Sequence, residues 1–127
     1  MTQEDKELLL KDLSARLPYG VIFKDECDEN LQEIHYIRDE EIYTRTYPHL
    51  PYSIETIKPY LRPMYSMTNE ERAERIGLLW EFEGHINEDV TYKYQDWLNA
   101  YHLDYRGLIP MGLALEAPEG MYEIKEK

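Results

Sequence analysis

Residues 25–29 place four acidic side chains around Cys27, the chain's single cysteine. Carboxylates suit Ca²⁺, but an EF-hand loop also needs a central glycine, a closing glutamate and two flanking helices. The glycine and the helix pair are missing here, so we interpret the run as a solvated hairpin turn. The neighbouring acids disfavour a thiolate, and Cys27 is therefore not predicted to be a nucleophile.

The histidines form none of the local patterns that mark zinc sites, neither H-x-x-x-H nor C-x-x-C. They are His35, His49, His85 and His102. One group at the end of a predicted helix could hold a divalent ion or use a histidine as a base; it consists of Glu81, Glu83, His85, Glu88 and Asp89. A charge-rich helix end normally faces water, which is the interpretation we favour.

No phosphate-binding glycine loop and no G-x-S-x-G motif occurs. Glu40 and Glu41 are adjacent, so in a strand their carboxylates would point to opposite faces. We therefore predict no catalytic residue, no metal site and no cofactor. A small enzyme remains an alternative, and it would need a cleft that gathers His85 or His102 with carboxylates.

Aromatic and basic side chains alternate in the middle of the chain and suggest an interaction surface. Its members are Tyr36, Arg38, Tyr43, Arg45, Tyr60 and Arg62. Tyrosines can stack on bases when a basic groove holds the phosphates. The formal net charge of −12 opposes nucleic-acid binding, because phosphate contacts need clustered Lys and Arg. Nucleic-acid or nucleotide binding is thus only the alternative use of this surface.

The composition indicates a single folded domain. The 127 residues are 43% hydrophobic, with two tryptophans and twelve tyrosines, which is enough for one core. One cysteine excludes an intrachain disulfide, and the sequence shows no secretion signal. Residues 107–115, the longest nearly uncharged stretch, are too few to span a bilayer. We predict a cytoplasmic protein that does not enter the membrane.

Two helices begin with recognisable caps. Thr2 and Asp5 open the first, whose leucines recur at helical spacing until Pro18 and Gly20 end it near Arg16 or Leu17. Thr68 and Glu71 form a T-x-x-E capping box for the second, which Gly84 would close. The predicted buried face of the first helix is Leu9, Leu10, Leu13 and Leu17, with Lys11 and Asp12 mainly outside. That of the second is Ala73, Ile76, Leu79 and Trp80.

Between these helices the pattern changes to short runs of β-branched and aromatic residues. Residues 21–23, 31–38 and 42–47 predict an antiparallel meander of three strands. Residues 52–57 predict a fourth strand at the edge, stopped by Pro59 and Pro63. Such a sheet needs a cover, and the first helix is the nearest candidate.

Residues 96–117 have the highest apolar density and predict where the core closes. After a loop over 85–90, a third helix over about 91–101 would bury Tyr94, Trp97, Leu98 and Tyr101. Asp104 would cap a following turn, and residues 118–127 predict a loose polar tail.

Three segments taken together resemble a family of small uncharacterised proteins from phages, prophages and mobile elements of Bacteroides-type gut bacteria. They read KELLLKDLSARLPYGV at 6–21, IKPYLRPMYSMTNEE at 57–71 and DWLNAYHLDYRGLIPMGLALEA at 96–117. The resemblance implies an intracellular protein expressed from such DNA. It implies no activity, substrate or catalytic residue.

The sequence thus predicts an α+β fold: a small antiparallel sheet of three to four strands, packed by an N-terminal helix and a C-terminal helical half. Negative charge, many tyrosines and no catalytic motif favour a non-catalytic accessory or protein-interaction module with a protein partner.

Overall fold

The computed structural model describes residues 1–84 and 88–122 of the chain. Within these ranges it has three α-helices and seven strands, which confirms the predicted α+β fold. In chain order they are α1 Gln3–Arg16, β1 Ile22–Asp25, β2 Asp28–Glu33, β3 Tyr36–Arg38, β4 Glu41–Tyr43, β5 Tyr52–Ser53, β6 Ile57–Leu61, α2 Asn69–Gly84, α3 Glu88–Ala100 and β7 Leu115–Glu116. In the part of the chain that the structure describes, no helix is long and apolar enough to cross a membrane.

Helix α1 follows its sequence prediction at both ends. Thr2 Oγ1 accepts the Asp5 N–H at 3.1 Å, and the Asp5 carboxylate accepts the Thr2 N–H in return. Leu9 and Leu13 are completely buried in the core, which includes residues from both sheets. The helix ends at Arg16, ahead of Pro18. Its apolar stripe therefore covers the strands, as predicted.

Contrary to the prediction, the polar side of α1 that carries Asp12 is buried. Asp12 was predicted on the solvent side, but Asp12 and Arg16 are both fully buried and joined by two hydrogen bonds of 2.8 and 3.1 Å. Arg16 also donates to the Leu103 carbonyl at 2.6 Å, and Arg106 donates to Asp12 at 3.0 Å. A buried charge needs hydrogen-bonding partners. Asp12 and Arg16 bind each other, and the C-terminal segment supplies their further partners, Leu103 and Arg106.

The strands are divided between two sheets rather than joined in one meander. The larger sheet has the order β2-β1-β6-β7; its first two pairings are antiparallel and the β6–β7 pairing is parallel. The smaller sheet, β3-β4-β5, is antiparallel throughout. The β1–β2 turn uses the acidic run 25–29, where Asp25 accepts the Cys27 N–H, so the predicted hairpin turn is confirmed.

The predicted strand over 31–38 contributes to both sheets. The Ile34 N–H bonds to the Val21 carbonyl at 2.9 Å, whereas the His35 N–H bonds to the Tyr43 carbonyl at 2.8 Å. Successive N–H groups of a strand point to opposite edges, so the chain exchanges one partner strand for another between these two residues. This exchange, which residue types do not encode, separates the sheets.

Pro59 does not stop a strand, so that part of the prediction was wrong; β6 ends at Leu61, ahead of Pro63. Pro59 lies inside β6, buried opposite Phe23. The Glu26 N–H bonds to the Thr56 carbonyl, and in an antiparallel pair the hydrogen-bonded positions recur at every second residue. Phe23 and Pro59 therefore face each other at a position where β1 and β6 exchange no hydrogen bonds. The missing N–H therefore costs nothing in the β1–β6 ladder.

The C-terminal half closes the core, with exceptions at Trp97 and Met111. The buried members are Leu98, Leu103, Leu108, Leu113 and Ala114. The Asp104 carboxylate accepts the Leu108 and Ile109 N–H groups at 2.8 and 2.9 Å, which confirms the predicted cap. Trp97, however, is only half-buried, and Met111 is 51% exposed.

Two further predictions for this half, the start of α3 and the loose tail, do not match the structure. Helix α3 begins at Glu88, one turn before the predicted start, so 88–90 are helical rather than part of a loop. The predicted loose tail does not hold for Tyr122, which is half-buried and hydrogen-bonded to Ile22 and Tyr60. Residues 123–127 lie outside the described part.

Candidate functional site

The first turn of α2 is built around a buried ion pair. Glu71 accepts the Thr68 N–H at 2.8 Å and the Thr68 hydroxyl accepts the Glu71 N–H at 3.2 Å, so the predicted capping box is confirmed. Both Arg62 amino groups donate to the same carboxylate at 2.7 Å. Burial opposes ionisation of Glu71, but the bonds from Arg62 and Thr68 outweigh it and hold its pKa below the usual value.

The face of α2 that meets α3 is polar. Glu74 Oε2 accepts the indole N–H of Trp97 and the hydroxyl of Tyr101, each at 2.9 Å. Arg75 Nε donates to the Tyr94 hydroxyl at 2.7 Å. Burial, together with the bond to Glu74, raises the pKa of Tyr101 to about 12. Charged groups of α2 thus bind three aromatic residues of α3.

Three apolar residues of α2 lie on its solvent side. Ile76 and Trp80, one helical turn apart, are 56% and 72% exposed, and Ala73 on the same side is exposed as well. We call Ala73, Ile76 and Trp80 the outer stripe. The predicted burial was wrong for these three residues, whereas Leu79 of the same predicted face is half-buried; the side of α2 toward α3 carries Glu74 and Arg75. Large exposed apolar groups in a row mark interaction sites more often than isolated ones do.

An acidic cleft of about 990 Å³ begins at the N-terminal end of α2. Its lining includes one arginine and five glutamates: Arg62, Glu70, Glu71, Glu74, Glu116 and Glu119. One wall is the start of α2, and the opposite wall is the segment 116–122. Arg62 is already held by Glu71, so the cleft presents predominantly negative charge to a ligand.

The structure places the six predicted interaction residues in different sheets. Tyr36 and Tyr43 are cross-strand partners on β3 and β4, with rings stacked at 4.5 Å, and Tyr43 donates to Glu41 at 2.7 Å. Arg38 and Arg45 are exposed in the same region. Tyr60 and Arg62, by contrast, belong to β6 and its exit, where Arg62 is used by Glu71. The six residues are thus divided between two parts of the fold, and Arg62 is engaged by Glu71.

The histidines are distributed over separate environments. His35 and His49 are exposed, whereas His102 is buried under the ring of Tyr122; none of the three lines the acidic cleft. His85 lies outside the described residues, and so do the side chains of Glu81, Glu83, Glu88 and Asp89. Among the residues that the structure describes, no group of three or more His, Cys, Asp or Glu side chains is arranged to hold a metal ion.

Sequence reasoning missed two features of this region. The outer stripe was recognised as apolar but assigned to the core, and no signal in the helix itself distinguishes the two. The cleft combines residues 62–74 with 116–122, which are distant in sequence, so only the fold brings them together.

Comparisons with known proteins add no relationship: no family model, no curated protein and no solved structure matches the chain.

Proposed function

We propose that the chain is a non-catalytic protein-interaction module whose outer stripe docks a basic, amphipathic segment of a partner protein. The single observation that carries the proposal is the exposure of Ile76 and Trp80 on one face of α2. Burying two such side chains releases roughly 1.5–3 kcal/mol each, which is a typical anchor contribution at an interface.

Charge supports a cationic partner. The chain carries −12 overall, and residues 69–100 contain eight acidic and three basic side chains. The cleft lined by Glu70 and Glu74 adjoins the same helix, one turn from Ala73. A partner helix with apolar residues on one face and Lys or Arg flanking that face could contact the outer stripe and the carboxylates at the same time.

The family resemblance adds context to the proposal. Expression from phage or mobile-element DNA would place the module in the bacterial cytoplasm, with a protein of the host as partner. The tyrosine pair of the small sheet supports nucleic-acid binding less well, because Tyr43 already binds Glu41 and the net charge repels phosphates.

Calorimetric titration with two synthetic amphipathic helices tests the proposal. One peptide combines leucine with lysine and the other combines leucine with glutamate in the same pattern. We expect the basic peptide to bind and the acidic one not to bind. The variant Ile76→Ser/Trp80→Ser keeps every charge and should lose at least about tenfold in affinity.

A matched control replaces two exposed leucines elsewhere, Leu31→Ser/Leu50→Ser, at positions 49% and 69% exposed, and should bind like the wild type. Equal affinity of the stripe variant and the control would overturn the proposal. So would sedimentation showing a dimer that Ile76→Ser/Trp80→Ser abolishes, because the stripe would then be covered by a second copy.

A further inference from the structure

The segment 115–122, which we call the C-terminal strap, is attached to the body at its two ends. At the first end, β7 pairs with Tyr60 and Leu61 of β6, and the Ala117 N–H bonds to the Leu61 carbonyl at 2.8 Å. The Tyr65 hydroxyl adds a bond to Glu116 at 2.8 Å. This end extends the larger sheet by one short strand.

At the second end, the side chain of Tyr122 completes a ladder that the strands leave open. The paired register of β1 and β6 stops at Phe23–Pro59. One residue further, the Tyr122 hydroxyl accepts the Ile22 N–H at 2.9 Å and donates to the Tyr60 carbonyl at 2.7 Å. A phenol from the strap thus bridges two strands at the position where the next direct pair would form.

The ring of Tyr122 covers His102. The two rings are stacked with centroids 3.7 Å apart and planes 12° apart. His102 is 6% exposed, and its Nδ1 atom has no hydrogen-bond partner. Burial lowers the pKa of His102 to about 4, and the cations facing it, Arg16 of α1 and Arg62 after β6, act in the same direction.

The middle of the strap has few bonds to the body. Pro118, Glu119 and Gly120 are exposed, and Gly120 has a φ of +84°, a conformation that glycine adopts without strain. The Met121 N–H bonds back to the Pro118 carbonyl within the strap itself. Segments with exposed backbone and few buried apolar contacts open at lower free energy than the core.

Opening of the strap would remove part of the wall of the acidic cleft. Ala117, Pro118, Glu119, Gly120 and Tyr122 form one wall of the acidic cleft. We infer that the C-terminal strap is a releasable lid, latched by Tyr122, that separates His102 from the acidic cleft. Closed, it hides the imidazole; open, it exposes a hydrogen-bonding nitrogen beside the cleft carboxylates. This inference does not depend on the proposed partner of α2.

Native-state hydrogen exchange on the full chain tests whether the lid opens. The Ile22 and Ala117 amides both depend on the strap, whereas the Ile34 amide bonds to Val21 within the larger sheet. We expect Ile22 and Ala117 to share one opening reaction and to be at least about tenfold less protected than Ile34. Equal protection of all three amides would mean that the strap opens only with global unfolding, which would overturn the inference.

Substitution of the latch tests what the strap hides. In Tyr122→Ala we expect the NMR titration midpoint of His102 to rise by more than one pH unit, since the imidazole becomes hydrated. Tyr122→Phe keeps the ring and loses the hydroxyl, so Ile22 should exchange faster while His102 shifts little. Tyr65→Ala is the matched control, because it removes a strap contact that does not touch His102.

An unchanged His102 midpoint in a folded Tyr122→Ala protein would contradict the inference. If that variant fails to fold, Tyr122→Phe decides: unchanged Ile22 exchange there would show that the hydroxyl does not latch the strap.

Discussion

Helices α1 and α2 share the same sequence design and have opposite surroundings. Each begins with a threonine that caps the helix together with an acidic residue three positions on. Each carries apolar residues at helical spacing. Yet Leu9 and Leu13 of α1 are fully buried, whereas Ile76 and Trp80 of α2 are 56% and 72% exposed. A stripe on a helix shows which side is apolar and leaves open whether anything covers it.

The difference originates in the polar residues that each helix turns inward. In α1 one acid and one arginine enter the core beside the leucines, and Arg106 joins them. In α2 the side toward β6 and α3 includes Glu71, Glu74 and Arg75, which bind Arg62 and three aromatic residues of α3. The carboxylates find partners there, and the outer stripe of Ala73, Ile76 and Trp80 faces solvent.

The largest effect is expected when the buried pair of α1 is broken. Asp12→Ala leaves Arg16 charged, fully buried and without its carboxylate, and should lower the free energy of unfolding by about 3–5 kcal/mol. The corresponding change in α2, Glu74→Ala, affects an exposed carboxylate and should cost about 1 kcal/mol or less. Urea denaturation measures both. Similar losses in the two variants would show that the α2–α3 contact is as tightly built as the core.

The apolar stripes should differ almost as strongly. Leu13→Ala removes a completely buried side chain and should cost about 2–5 kcal/mol. Ile76→Ala shortens an exposed one and should stay within about 0.5 kcal/mol of the wild type. Thermal and urea unfolding of the isolated protein provide the comparison. A loss above about 1.5 kcal/mol for Ile76→Ala would indicate that this side chain is covered in solution, by the chain or by a second copy.

The sequence was sufficient for the features that depend on local chemistry. Both capping boxes, the end of α1, the Asp104 cap and the acidic hairpin turn each depend on a few neighbouring residues, and all were predicted. The α+β class followed from two periodicities that alternate along the chain.

The sequence was insufficient where residues far apart in the chain determine the structure around a position. Whether Asp12 faces water depends on Arg106, and whether Pro59 ends a strand depends on its register with Phe23. The exchange of strand partners at Ile34 depends on which strands approach from either side. For the candidate site the limit is the same: Arg62 was assigned to a Tyr/Arg surface because Glu71 could not be recognised as its partner.

The helix caps give the smallest effects and the most direct test of how the two regions are coupled. Thr68→Ala removes a cap that Arg62 and Glu71 tie to β6, and should cost about 1 kcal/mol of global stability. Thr2→Ala removes an exposed cap at the chain terminus, where fraying already weakens it, and should cost a few tenths of a kcal/mol. Both are measured by urea denaturation followed by circular dichroism and by tryptophan fluorescence.

Circular dichroism follows the secondary structure of the whole chain. Fluorescence follows α2 and α3, because the two tryptophans, Trp80 and Trp97, belong to these helices. If α2 and α3 unfold together with the rest of the chain, Thr68→Ala should shift both transitions equally. If the fluorescence transition alone moves to lower urea, α2 and α3 unfold as a separate unit. The ion pair Arg62–Glu71 joins α2 to the exit of β6 at 2.7 Å and the carboxylate is nearly buried, so we expect the transitions to coincide. The outer stripe would then be a rigid surface, set in place by the core and ready for a partner before that partner arrives.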